Sequence, residues 1–159
     1  CAPGGVNDRL AEKLGLSDIQ VISPTGTDLH GRPWGLLRMG TIEHQPLETF
    51  LDQVKTQLQC QGIRYVNAGK QVSRVAVGGG ACASELTDAA SAGCDTFVTS
   101  DVKYNDFWDA YEQGLNLIDA GHFYTENPVV AVLAEKLAAA FPKITVKISE
   151  THGDCMKFY

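Results

Sequence analysis

The sequence predicts an α/β domain: a layered, largely parallel sheet with flanking helices. Three observations carry that reading. From Val72 onward, short runs rich in strand-forming residues alternate with helical stretches. After Pro46 and again after Pro128, apolar residues recur at the spacing of one helix face. Glycines stand where one type of run gives way to the next, at Gly78-Gly79-Gly80, Gly93, Gly114 and Gly121.

Taken in order, residues 6–14 read as a short helix capped by Asn7 or Asp8 and stopped by Gly15. Residues 19–22 are a short strand, and residues 23–33, with two prolines and two glycines, are a loop. Residues 34–39 form a second strand. Pro46 then opens a helix that buries Leu47, Phe50, Leu51, Val54 and Leu58. The regular part follows: strand 72–77, glycine turn, helix 83–92, strand 95–99, helix 103–113, strand 115–119. The next helix has Asn127 as its cap and Pro128 at its first position. It carries Val130, Leu133, Ala134, Leu137, Ala138 and Phe141 on one face. Residues 144–148 read as a last strand, and the polar residues 149–159 receive no assignment.

The length of 159 residues suits a single domain, 1–159, with a core of its own. A net charge of −6 without a basic run argues against a nucleic-acid partner. No apolar run reaches the roughly 18 residues of a membrane span, so no membrane partner is expected. The five cysteines, Cys1, Cys60, Cys82, Cys94 and Cys155, are odd in number, and none form a Cys-x-x-Cys pair. That spacing argues against a zinc knuckle and favours a reducing, cytoplasmic setting, with Cys82 and Cys94 as small buried residues.

In an open α/β sheet, ligands bind beyond the carboxyl ends of the strands. Three strand ends carry suitable groups: Gly78-Gly79-Gly80, then Ser100-Asp101 with Lys103, then Asp119 with His122 and Glu126. Parallel strands would bring all three to one edge. His122 and Glu126, four apart in the loop before the helix at Pro128, suit a pair of metal ligands or an acid/base pair. Each feature also has a plain structural reading: a tight turn for the glycines, a helix cap for Asp101, a loop hydrogen bond for Asp119, and chance for the His/Glu spacing. Gly78-x-Gly80-x-x-Ala83, with Asp101 after the next strand, fits a loose dinucleotide fingerprint. This makes Gly78, Gly79, Gly80 and Asp101 candidate cofactor contacts and a nucleotide-binding module an alternative function. His152, Asp154 and Cys155 can imitate a metal clip or lie in a solvated tail. No nucleophile elbow is present, and no catalytic residue is assigned.

The motifs together resemble those of the NIF-three-like family, the dinuclear metal-centre proteins also labelled GTP cyclohydrolase type 2 homologues. The matching stretches are Gly4-Gly5-Val6-Asn7-Asp8, Val75-Ala76-Val77-Gly78-Gly79-Gly80, Thr99-Ser100-Asp101-Val102-Lys103-Tyr104, and Asp119-Ala120-Gly121-His122-Phe123-Tyr124-Thr125-Glu126. Asn105 stands where the family usually has a histidine, and residues 39–72 leave no room for the domain some members insert.

The resemblance implies two divalent ions, zinc, iron or manganese, in a cleft between two α/β halves. His122 and Glu126 fall on the family's His-x-x-x-Glu ligand motif. The other ligands, a His-His pair and an Asp just before the Gly-Gly-Val-Asn-Asp stretch, are not in this sequence. The chain therefore reads as the C-terminal portion of a two-half protein, with metal absent or weakly held here. Such a portion is expected to expose an apolar face. The activity implied is metal-assisted hydrolysis of a small molecule, cyclohydrolase-like; the alternative is a non-catalytic regulatory or scaffold protein with a structural metal. Ring-like homo-oligomers are implied as well.

Overall fold

The structure is a computed structural model that describes residues 1–159. Six strands form one sheet in the order β1 (Ser17–Val21), β4 (Arg38–Gln45), β6 (Val72–Val77), β7 (Thr96–Thr99), β8 (Asn116–Asp119) and β5 (Arg64–Val66). A two-stranded ribbon, β2 (Gly26–Thr27) with β3 (Pro33–Trp34), stands apart from it. The helices are α1 (Val6–Lys13), α2 (Leu47–Leu58), α3 (Leu86–Ser91), α4 (Tyr104–Glu112), α5 (His122–Glu126) and α6 (Pro128–Ala140).

The α/β architecture is as the sequence predicts. Its parallel part is limited to β6, β7 and β8, however; β1, β4 and β5 join through antiparallel pairings, so the sheet is mixed. The three parallel strands are the ones whose residues are buried on both faces. Val75, Val77, Val98 and Ile118 point to one side, against Leu10 of α1, Leu14 just beyond it, and Phe50 and Val54 of α2. Ala76, Phe97 and Leu117 point to the other, against Leu86 and Ala89 of α3 and Ala110 of α4. This period of two along each strand puts a hydrophobic layer on both faces. Fully burying a side chain the size of Phe50 or Phe97 contributes about 1.5–3 kcal/mol.

Several local expectations change. The N-cap of α1 is Gly5, and Asn7 and Asp8 lie within its first turn, free for other partners. The strand expected at 34–39 is divided: β3 ends at Trp34 and β4 runs from Arg38 to Gln45. Residues 144–148 form no strand and join neither edge of the sheet, β1 or β5. His122 and Glu126 sit on the short helix α5 rather than in an open loop. Asn127 is the N-cap of α6 and Pro128 its first residue, as expected; Asn127 also ends α5, has helical dihedrals and makes no side-chain capping bond, so the two helices follow each other directly.

The apolar face of α6 is not a core face. No residue of α6 is buried, although the helix touches α1 and α5. Leu133, Leu137 and Phe141 are about half exposed, as are Ile144 and Ile148 beyond it. A second exposed group, Tyr65, Tyr104, Trp108 and Tyr111, lies beside the edge strand β5.

Candidate metal centre

The carboxyl ends of β6, β7 and β8 share one edge of the sheet, and the residues that follow them meet there. Asp101, just past β7, has a left-handed backbone (φ 54°). Its carboxylate lies 2.7 Å from Nδ1 of His122, the first residue of α5. Nε2 of the same ring lies 3.4 Å from Oε2 of Glu126, one helical turn on. All three side chains are a little under half exposed. The hydrogen bond to Asp101 raises the His122 pKa above its usual value, and the Glu126 carboxylate adds to the effect, against a smaller opposing effect of burial.

Gly80 closes the cluster from below. Its φ of +71° suits glycine. A Cβ there would stand 2.6 Å from Oε1 of Glu126 and 3.2 Å from Nε2 of His122. The missing side chain is what leaves space between the carboxylate and the imidazole. Gly80 is held firmly: its N–H donates to the Thr125 hydroxyl at 3.0 Å, and its carbonyl accepts from the Ser100 amide and the Thr99 hydroxyl, each at 3.1 Å. The Thr125 hydroxyl lies 3.0–3.1 Å from the carbonyls of Gly121 and His122, so one threonine ties the floor of the site to the turn that carries the histidine.

Asn7 does the same for the neighbouring glycine. Its side-chain oxygen accepts from the Gly79 N–H at 2.7 Å and its amide donates to the Leu36 carbonyl at 2.6 Å. Asp8 accepts from the Gly4 amide at 2.5 Å and pairs with the buried Arg38. Asp119 accepts from the amides of Val102 and Gly121 and pairs with Arg64. Its loop-bonding reading fits this geometry. The amides of Gly78, Gly79 and Gly80 are all engaged, with Val98, Asn7 and Thr125 respectively. The glycine turn therefore offers those three amides to no phosphate, and the dinucleotide reading gains no geometric support.

The arrangement fits part of a metal centre. A histidine whose Nδ1–H is held by a carboxylate presents Nε2 outward as a ligand, with its tautomer and ring orientation set. Glu126 and the space above Gly80 lie on that side. No three His, Cys, Asp or Glu side chains of this chain converge on one point in metal-ligand geometry. Of the predicted site residues, the structure brings together Gly80, Asp101, His122 and Glu126. Gly78 and Gly79 lie alongside as packing residues, against Cys82 and Leu37 and against Val6 and Asn7. Sequence reasoning missed Thr125 and the linking role of Asn7. The tail, whose His152, Asp154 and Cys155 the sequence left between a metal-clip likeness and a solvated segment, lies beside the site: residues His152 to Met156 line a cavity of about 570 Å³ with His122 and Glu126.

The chain is thus an α/β domain that carries a carboxylate-paired histidine and a glutamate at the carboxyl edge of its parallel strands. The comparisons are specific. The model of the Duf34/NIF3 (NGG1p interacting factor 3) family matches residues 1–154, and the chain belongs to that family. A Nostoc protein named GTP cyclohydrolase 1 type 2 homolog is 36% identical over 137 residues, covering 84% of this chain and 50% of the relative. A Staphylococcus aureus hypothetical protein superposes with a TM-score of 0.87 at 26% identity, over 99% of this chain and 65% of that one. A Bacillus cereus protein related to NIF3 has the same fold, with a TM-score of 0.85 at 23% identity over 99% of this chain and 70% of that one. The chain spans about half the length of the Nostoc relative. No helix is long and apolar enough to cross a membrane.

Proposed function

We propose that this chain supplies one side of a divalent metal centre, with His122 and Glu126 as ligands and Asp101 as the carboxylate that orients the histidine. The observation that carries this reading is the pairing of Asp101 with Nδ1, which leaves Nε2 opposite Glu126 across the space above Gly80. A divalent ion held there supplies Lewis-acid polarisation of a substrate and activation of water, the chemistry of metal-assisted hydrolysis of a small molecule. The chain's own part is to fix the imidazole tautomer, to hold Glu126 one turn away, and to keep the floor rigid through Thr125 and Asn7. A cyclohydrolase-like activity is the reading in line with the name of the Nostoc relative.

Two side chains are fewer than the three or four protein ligands of a stable divalent site. The isolated chain is therefore expected to bind zinc or manganese weakly. The exposed faces of α6 and of the aromatic group beside β5 support self-association or burial against further protein. The buried free thiols of Cys60, Cys82 and Cys94 support a reducing, cytoplasmic setting.

The test is titration with zinc or manganese, followed by calorimetry and by NMR of the histidine Cε1–H signals. Weak binding that disappears in His122→Ala and Glu126→Gln is the expected result. Binding untouched by both substitutions would refute the site. An open, water-exchangeable coordination position in a complete centre would mark it as catalytic rather than structural.

A further inference from the structure

Asp119, the last residue of β8, is almost fully buried. A buried carboxylate is tolerated only when its oxygens are satisfied. The two oxygens of Asp119 are spent on two different turns. Oδ2 accepts from the Val102 N–H at 3.2 Å, and Oδ1 accepts from the Gly121 N–H at 3.1 Å. Val102 is the residue after Asp101, and Gly121 is the residue before His122. One carboxylate therefore joins the backbones of the two turns that carry the paired side chains. Arg64, on the neighbouring strand β5, completes the tie. It pairs with Oδ2 of Asp119 and donates to the Val102 carbonyl at 3.0 Å. Val102 is thus held at both its N–H and its C=O.

The pair itself cannot supply this order. The side chains of Asp101 and His122 are 45% and 46% exposed. Ion pairs so open to water contribute little, because holding two free side chains in one geometry costs entropy. The left-handed backbone of Asp101 (φ 54°) is also one that a non-glycine residue adopts at a cost. Fixing the flanking peptides beforehand meets both demands. Asp101, Asp119 and Arg64 line one small pocket of about 200 Å³, so the guanidinium also offsets the repulsion between the two carboxylates.

We propose that Asp119, assisted by Arg64, is a positioning residue of the site. By joining the two turns it keeps the Asp101 carboxylate on Nδ1 of His122, and so fixes the tautomer that presents Nε2 on the side of Glu126 and Gly80. The use of that tautomer rests on the metal-binding reading of His122 and Glu126; the tie between the turns does not.

The test is the tautomer of His122, read from the imidazole nitrogen and Cδ2 shifts of the whole chain at a pH where histidines are neutral. The unaltered chain is expected to hold the proton on Nδ1. In Asp119→Asn the side chain keeps its size and one acceptor oxygen but turns an NH2 toward one of the two backbone N–H groups. One tether is lost, and with it the charge that Arg64 pairs with. The Nδ1–H preference is expected to be lost, and manganese affinity, followed by broadening of the His122 Cε1–H signal, to fall about tenfold, as when a supporting group of a metal site is removed. Arg64→Gln, at a side chain more than half exposed, is the milder variant should Asp119→Asn fail to fold. It is expected to move the tautomer in the same direction by less. Asp95→Asn is the control. Asp95 accepts from the Ser73 and Arg74 amides at 2.9 and 2.7 Å, the same kind of tether, but at the amino end of β7. It is expected to leave the His122 tautomer and manganese affinity unchanged.

A tautomer unmoved by both Asp119→Asn and Arg64→Gln would overturn the proposal, and so would an equal change in Asp95→Asn. Absence of manganese broadening at His122 in the unaltered chain would overturn the metal reading instead, while the tautomer comparison still decides whether Asp119 joins the turns.

Discussion

Replacing Gly80 by alanine separates the backbone cost of the site from its ligand space. The backbone there is left-handed (φ +71°), which costs alanine about 1–2 kcal/mol. The added methyl meets Oε1 of Glu126 at 2.6 Å, and Nε2 of His122 at 3.2 Å. The nearer atom is the end of a flexible, half-exposed side chain, so it swings aside at little further cost. Total destabilisation should stay near 1–2 kcal/mol, a fall in Tm of roughly 2–8 °C for a chain of this size. The effect on the site is larger, because the methyl fills the space between the two proposed ligands. Gly69→Ala is the control: Gly69 is also left-handed (φ +77°), yet a Cβ there meets nothing within 4 Å. Urea unfolding and manganese titration of both variants form the assay. Similar stability losses are expected in the two, with His122 broadening lost only in Gly80→Ala. A Gly80→Ala protein that binds manganese as Gly69→Ala does would refute the assignment of that space to a ligand.

Four further outcomes follow from the same structure. Asn7→Ala leaves the Gly79 N–H and the Leu36 carbonyl without their partner and should cost about 2–4 kcal/mol in urea unfolding; a loss below 0.5 kcal/mol, about the scatter of surface changes, would show that Asn7 does not tie α1 to the glycine turn. Phe97→Ala should cost about 3–5 kcal/mol, whereas Leu133→Ser on the open face of α6 should stay within about 0.5 kcal/mol and reduce self-association in sedimentation; a large stability loss at Leu133 would mean that α6 is a core helix. Burial pushes the Cys94 thiol up to about 11, so native protein near pH 8 should be alkylated at the exposed Cys1 and Cys155 while Cys94 stays unmodified in peptide mapping. The His122 pKa is raised by Asp101, so the charged pair's contribution to stability is fully present below the unfolded histidine value and is lost as pH rises through the folded one; Asp101→Asn should lower the NMR titration midpoint of His122, and an unmoved midpoint would discount the pair.

What the sequence disclosed of this fold follows from which forces are local. Strands β6, β7 and β8 were legible because both faces are buried and glycines mark their limits, Gly78-Gly79-Gly80 after β6, Gly93 before β7 and Gly114 before β8. Their parallel direction followed from the helix lying between each strand and the next. The antiparallel edges were less legible, since nothing within residues 38–45 or 64–66 specifies which neighbour each will pair with. Helix α6 and its apolar stripe were legible too; whether such a stripe is buried depends on whether another element covers it, and no residue of α6 is buried.

The candidate site divides along the same line. Asp101 and His122 are 21 residues apart, one crossover unit, and parallel neighbours bring successive strand ends side by side. Their meeting could be inferred from topology alone. The contacts that make the site rigid span 45 residues from Thr125 to Gly80 and 72 from Asn7 to Gly79. Each joins a polar side chain to a backbone amide, and such a bond leaves no periodic mark at either end. The tail is the extreme case, placed by the His152 ring on Phe123 and the Phe158 ring over Gly62 with no secondary structure to announce it. Chemistry concentrated at strand ends is readable in advance when the strands are parallel and consecutive. The groups that hold such chemistry in place become visible only once the chain has closed on itself, and for that reason the substitutions most informative about this site are Gly80, Asn7 and Asp119, none of which is itself a proposed ligand.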